Sequence, residues 1–179
     1  MKKLNKKKGI LFWITGLSGS GKSTLAKRIY PYIKKKCGPS IYLDGDSMRN
    51  ILELHDYSFK GRASNLKKFN RIVKLLTDQG INVVFSLIGL MDEPRDWNRK
   101  NIKKYVEIFI KSNVKKIIKI DKKNIYKRNK NVVGVTIRPQ FPKKPDIIIN
   151  NTFDKTLKSL EIELLTKIRK LLIKKKLLK

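Results

Sequence analysis

Gly16-Leu17-Ser18-Gly19-Ser20-Gly21-Lys22-Ser23-Thr24 stands between an apolar run, Ile10-Leu11-Phe12-Trp13-Ile14, and a segment with Leu25, Ile29 and Ile33 at helical spacing. The order is strand, glycine-rich turn, helix. A G-x-x-x-x-G-K-[ST] string in that context reads as a phosphate-binding loop rather than a chance match. Its glycines let backbone N–H groups turn inward around a phosphate, and the helix N-terminus adds partial positive charge. Lys22 has the reach for the β- and γ-phosphates, and the Ser23 hydroxyl is a ligand for Mg²⁺. Residues 16–24 are therefore the expected site of a nucleoside triphosphate, with ATP and Mg²⁺ as the expected cofactors.

Outward from the loop, strand and helix patterns alternate. Residues 10–15 read as a buried strand, and 22–36 as a helix ending before Gly38-Pro39. Residues 40–43 read as a second strand. A helix across about 62–79 carries Leu66, Phe69, Ile72, Val73, Leu75 and Leu76 on one broad face, and Gly80 ends it. Residues 81–88 are apolar apart from Asn82 and Ser86 and read as a central strand of a parallel sheet. A charged loop and short helix follow over about 92–104, then a strand over 105–110 and a helix over 113–120. The stretch 122–140 is polar and runs into Pro139 and Pro142. Residues 147–149 read as a last strand. Thr152 is a candidate cap for a final helix with Leu157, Leu160, Leu164, Ile168 and Leu171 at helical spacing. The alternation predicts an α/β fold of the P-loop type, a doubly wound parallel five-stranded sheet with helices on both faces. Residues 1–9 are expected to be a basic disordered tail, and 10–179 a single domain.

Composition narrows the function classes. Cys37 is the one cysteine and His55 the one histidine. That excludes an intrachain disulfide and a histidine metal cluster, and argues against histidine acid–base chemistry. No apolar run approaches the ~20 residues of a membrane span. Residues 10–14 are too short for a signal-peptide core, so a cytoplasmic protein is expected. The net charge of +30 has two readings: a polyanion partner, or a lysine-biased composition. The cations are spread from Lys2 to Lys179, with no arginine-rich arm. The compositional reading is preferred, so no specific nucleic acid is expected, only non-specific binding at low salt. The Lys- and Leu-rich end, residues 167–179, continues the stripe of the last helix and reads as a packed helix with a basic tip rather than a membrane-surface helix.

The second informative stretch is Ile41-Tyr42-Leu43-Asp44-Gly45-Asp46-Ser47-Met48-Arg49. Two carboxylates stand at the C-terminal end of a strand, the edge where parallel α/β sheets bind ligands. Strand alternation would point Asp44 and Asp46 the same way. One could orient Mg²⁺ or its water, and the other accept the proton of an attacking hydroxyl. Arg49, one turn into the next helix, can clamp an anion bidentately. A D-G turn with a capping aspartate is the bland alternative; the adjacent phosphate loop favours the functional reading.

Residues 13–24 followed by Tyr42-Leu43-Asp44-Gly45-Asp46-x-x-Arg49 resemble the adenylylsulfate kinase family. Gly61-Arg62-x-x-Asn65 is similar to the family's D-R-x-x-N segment, and Tyr57 stands where the family has an aromatic ring. Asp121-Lys122-Lys123-Asn124-Ile125-Tyr126-Lys127 resembles its D-P-K-G-L-Y-K, and Val133-Gly134-Val135 with Pro139 and Pro142 resembles F-T-G-I-D and the run after it. The resemblance implies transfer of the γ-phosphate of MgATP to the 3′-hydroxyl of adenylyl sulfate, giving 3′-phosphoadenylyl sulfate. Lys22 and the loop would hold the triphosphate and Ser23 the metal. Asp46 would orient the acceptor hydroxyl, with Asp44 supporting the metal or Arg49. Arg49, Arg62 and Asn65 would hold the acceptor's phosphate and sugar. Tyr57 would stack on its base, and Lys123 would help from the lid.

Three departures concern the acceptor. The family's I-S-P serine and proline are absent from Ser86-Leu87-Ile88-Gly89-Leu90-Met91. The family's lid stretch is shortened to Lys127-Arg128-Asn129-Lys130-Asn131, and its G-I-D acid is Thr136. A branch of the family phosphorylates cytidine diphosphoramidate in capsule pathways. Asn98-Arg99-Lys100-Asn101 and Lys60-Gly61-Arg62 resemble that branch, whereas Asn65 resembles the sulfate-assimilation branch. A small nucleotide acceptor is thus the expected partner, and a homodimer stays open. The competing classes are a nucleotide-gated nucleic-acid-binding protein and a polynucleotide 5′-kinase.

Overall fold

The computed structural model describes residues 7–120, 126 and 130–177. Strand β1 (Leu11–Thr15) lies at the centre of the sheet, hydrogen-bonded to β3 (Asn82–Ser86) on one side and to β4 (Tyr105–Lys111) on the other. Its residues 11–14 are all 0% exposed, which is why the run is apolar without alternation. β2 (Ser40–Asp44) pairs with β3, and β5 (Ile147–Asn150) with β4. Every pairing is parallel, and the order among the described residues is β2-β3-β1-β4-β5.

Alternate side chains of β1 enter two different cores. Phe12 and Ile14 pack with Val84, Ile108 and Ile149 beneath α1 (Lys22–Cys37) and α6 (Leu157–Lys174), whose range lies at the C-terminal end. Leu11 and Trp13 pack with Phe85 beneath α3 (Phe59–Asp78). Helices therefore cover both faces, and the expected doubly wound sheet is present. Short helices α2 (Gly45–Ile51), α4 (Asp92–Asn101) and α5 (Val114–Ile120) complete the described helices. None of the described helices is long and apolar enough to cross a membrane.

The helix faces sharpen the sequence reading. Leu25, Ile29 and Ile33 of α1 are fully buried. On α3 the stripe is narrower than expected: Leu66, Phe69 and Val73 are buried, but Leu75 is 61% exposed. On α6, Leu160, Leu164, Ile168 and Leu172 form the buried row, while Leu157 is 42% exposed. The cap of α6 is Thr156, whose hydroxyl accepts from Ser159 N at 3.1 Å. Thr152 lies too early in the chain to cap it and bonds Asp154 instead. Thr156→Ala is expected to cost about 1 kcal/mol in urea unfolding, with a smaller change for Thr152→Ala.

Of the residues expected in a basic tail, 7–9 fall among those described. Residues 1–6 lie outside the described residues. Gly9 N donates to Thr77 O at 2.8 Å, and the Lys8 ammonium donates to Asp78 O at 3.2 Å. These contacts tie residues 8 and 9 to the end of α3.

Candidate active site

The C-terminal end of β1 opens directly into the glycine-rich loop. Gly21, the N-cap of α1, has φ +90°, and a Cβ there would lie 3.3 Å from the Asn151 amide nitrogen. Backbone conformation and close packing both select glycine at that position. The loop is held by side chains from distant segments. Asn151, buried just beyond β5, donates to Ser20 O at 3.0 Å. The Tyr126 hydroxyl donates to Ser18 O at 2.9 Å, and the Thr15 hydroxyl donates to Ile88 O. The Lys22 ammonium is buried against the loop and donates to Leu17 O at 2.7 Å.

The paired aspartates do not share a direction by strand alternation. Asp44 ends β2 and caps α2, accepting from Asp46 N at 3.1 Å. Helical geometry begins at Gly45, so the strand period stops there. The other Asp44 oxygen accepts from Ser23 Oγ at 2.7 Å, Ser86 Oγ at 2.8 Å and Tyr42 OH at 3.1 Å. Burial raises the Asp44 carboxyl, but hydrogen bonds from Ser23, Ser86, the Asp46 amide and Tyr42 outweigh it and leave its pKa below the ordinary value. Asp46 is different: its side chain is 76% exposed and lies 3.6 Å from the Arg49 guanidinium. Both aspartates nevertheless line one cavity of about 630 Å³, together with Gly21, Lys22, Ser23 and Arg49.

Beyond Arg49 lies a pair of buried guanidinium groups. Arg49 is buried, and its Nε has no hydrogen-bond partner among the described residues. Arg62 is also buried, donating to Tyr57 O and Asn131 O, each at 2.9 Å. The Tyr57 ring lies 5.2 Å from the Arg49 guanidinium and 5.4 Å from that of Arg62. Burial and the neighbouring charge of Arg49 bring Arg62 down to a pKa of about 10. Asn65, one turn beyond Arg62, is buried and makes only a long 3.5 Å contact to Asp56 O. The fold thus brings Arg49, Tyr57 and Arg62 together, with Asn65 one helical turn along α3 from Arg62. Lys123 lies outside the described residues.

A second, small cavity of about 20 Å³ is lined by Arg49, Arg62, Phe59, Gly89 and Arg138, and shares Leu87 with the larger one. Tyr57 lines neither cavity; Phe59, two residues on, faces the small one. Leu87 and Ile88 line both cavities, and residues 89–91 form a wall of the small one. Ser86 lies at the end of β3 and supports Asp44. Arg95, 4% exposed on α4, donates to Gly89 O at 3.1 Å and pairs with buried Glu107 of β4 at 2.9 Å. Core charge therefore anchors the wall.

Sequence reasoning missed Tyr42, Arg95, Arg138 and Asn151. Tyr42 was detectable, since it shares a face of β2 with Asp44 at i, i+2. Arg95 and Asn151 act through contacts with residues distant in sequence that no local pattern marks, and Arg138 lines the small cavity.

Known proteins match this arrangement. The family model for adenylylsulphate kinase matches residues 8–150. A cytidine diphosphoramidate kinase of Campylobacter jejuni is 39% identical over 162 residues, spanning 88% of this chain and 94% of that protein. An adenylyl-sulfate kinase of Clostridium acetobutylicum is 36% identical over 160 residues, spanning 85% of this chain and 80% of that protein. The solved structure of a Mycobacterium tuberculosis APS kinase in complex with AMPPNP and APS superposes with a TM-score of 0.78, at 28% identity, over 90% of this chain and 98% of that one. Motif order, sheet topology and relatives agree along most of the sequence, and the chain belongs to the adenylylsulphate kinase family, the ATP-dependent phosphotransferases that act on a hydroxyl acceptor.

Proposed function

We propose that this chain transfers the γ-phosphoryl group of MgATP to the 3′-hydroxyl of a small nucleotide. The observation that carries this reading is the meeting of two cavities at Arg49, with Asp46 between the phosphate loop and the buried guanidinium pair. The loop amides and Lys22 hold the triphosphate. Ser23 is the protein ligand for Mg²⁺, with its hydroxyl oriented by Asp44. Mg²⁺ held there would supply charge stabilisation for the transferring phosphoryl group. Asp46 orients the acceptor hydroxyl and receives its proton as the new O–P bond forms and the bond to the β-phosphate oxygen breaks. Arg49 and Arg62 hold the acceptor's anionic group. Catalysis is mainly positioning and charge stabilisation.

Adenylyl sulfate is the acceptor that the family's motifs imply. Cytidine diphosphoramidate is a second reading, favoured by the 39% identity to a kinase named for it across 94% of that protein's length. The stretches Asn98-Arg99-Lys100-Asn101 and Lys60-Gly61-Arg62 resemble that branch. The reaction belongs in the cytoplasm, where ATP and a lone reduced thiol coexist. A panel assay tests the whole proposal. MgATP is incubated with adenylyl sulfate, cytidine diphosphoramidate, mononucleotides and a 5′-hydroxyl oligonucleotide, following ADP release and product mass. One nucleotide should gain one phosphoryl group on its ribose. ADP release that no small nucleotide stimulates, or phosphate found on the strand end, overturns the reading.

A further inference from the structure

We propose that Asp56 is a positioning residue of the acceptor site: its carboxylate fills the space above Gly61 and fastens the loop that carries Tyr57 to the first turn of α3. This rests on the kinase reading above and deepens it. Three observations support it.

The first is the space at Gly61. Glycine weakens a helix, yet Gly61 lies buried on α3. Its backbone is helical and its φ is not positive, so conformation does not call for glycine there. Packing does. A Cβ at position 61 would strike the Asp56 carboxylate, its carboxyl carbon and Oδ2 first. Turning the carboxylate aside would not clear the clash, because the Asp56 Cβ itself lies 2.6 Å from that point. Where the family's D-R-x-x-N has its acid, this chain has no side chain, and the carboxylate of Asp56 stands beside that position instead.

The second is the cap. Ser58 is the N-cap of α3, and its hydroxyl accepts from Gly61 N at 3.0 Å. That is one half of a capping box. In the other half, the third helical residue returns a side-chain oxygen to the N–H of the cap. Gly61 is that third residue and has no oxygen to return. The Ser58 N–H donates to Asp56 Oδ1 at 2.8 Å instead, so the box is closed from upstream of the helix. Hydrogen bonds from the Ser58 amide and hydroxyl hold the Asp56 carboxyl below its ordinary range. The charged form therefore does the capping, at the positive end of the helix.

The third is what the cap carries. Tyr57 lies between Asp56 and Ser58. Its ring is 44% exposed, so core packing does not place it. The ring still stands against both Arg49 and Arg62, and Tyr57 O accepts from Arg62 Nε at 2.9 Å. With both chain neighbours tied to the helix, residue 57 is held where those contacts form. Asp56 thus acts on the acceptor site through Tyr57 and Arg62.

The test moves the acid. Wild type is compared with Asp56→Gly, Asp56→Asn, Gly61→Asp and the double variant Asp56→Gly/Gly61→Asp. Glycine is used at 56 in the exchange because the Cβ of residue 56 would itself crowd a side chain at 61. Steady-state kinetics use the acceptor found by the panel. Asp56→Gly should raise acceptor KM by about five-fold through the lost cap, and Gly61→Asp by about ten-fold or more through collision. Asp56→Asn keeps an oxygen for the Ser58 N–H and should lose less than Asp56→Gly. The double variant should return to within about two-fold of wild type, a coupling that independent sites do not show. The KM for ATP should move by less than about two-fold throughout. An unchanged acceptor KM in Asp56→Gly, an equal rise in both KM values, or a double variant as poor as Gly61→Asp overturns the proposal and leaves the kinase reading standing. Should the wild type turn over no nucleotide, the kinase reading falls alone. The fastening is then read by nuclear magnetic resonance from solvent exchange of the Arg62 Nε proton. Exchange faster by about three-fold or more in Asp56→Gly, and restored in the double variant, supports it; an unchanged rate overturns it.

Discussion

Lys22→Ala is expected to lower kcat by about 10²–10³-fold or more, the range seen when one preorganised charge-stabilising donor is removed. The structure explains why compensation is not available. The ammonium is buried at the loop, 2.7 Å from Leu17 O, so no cation from solvent replaces it. Arg49, the nearest guanidinium lining the same cavity, is held toward Asp46 and Tyr57. The measurement is single-turnover phosphoryl transfer at saturating ATP, with a urea titration to show that the fold is retained. Turnover within about ten-fold of wild type would remove Lys22 from transition-state stabilisation.

Asp46→Asn is expected to lower kcat by about 10²–10⁴-fold, the usual contribution of a positioned general base. ATP affinity should stay near wild type, because among the described residues the partners of Asp46 are Arg49 and Asp44 and not the loop. The asparagine keeps the volume and one acceptor oxygen, so α2 should persist, capped as before by Asp44. The matching Asp44→Asn variant should behave differently. It disturbs the bond that orients Ser23, and its loss should be relieved in part by raising the Mg²⁺ concentration. If Asp46→Asn turned over at a nearly wild-type rate, the proton would have another destination.

Much of the fold was legible because its signals are local. The loop string reads its own conformation, and the unbroken apolar run of β1 reports burial on both faces. The carboxylate pair shows where such reading stops. Asp44 and Asp46 look like alternating strand residues until Asp44 is seen to cap a helix, which requires knowing that Gly45 leaves the strand. Thr152 and Thr156 both precede the apolar row of α6, and packing rather than propensity chooses between them. Leu75 belongs to a helical face on paper but falls beyond the width that the sheet covers. Within the site, Arg49 was expected from its place one turn after the carboxylate pair, and Tyr57, Arg62 and Asn65 from the family resemblance. Asn151 and Arg95 were not, since each acts across the fold on a carbonyl that any residue would carry.

The bond from Gly9 to Thr77 has a practical corollary. All five strands of this sheet start on one side and finish on the other, and Gly9 is moored where they start. Given a rise of about 3.3 Å per residue along β1, that anchorage lies roughly 16 Å from the mouth that admits nucleotides. An affinity handle or a surface tether joined ahead of Gly9 would leave that mouth facing outward, so immobilised enzyme should keep its turnover.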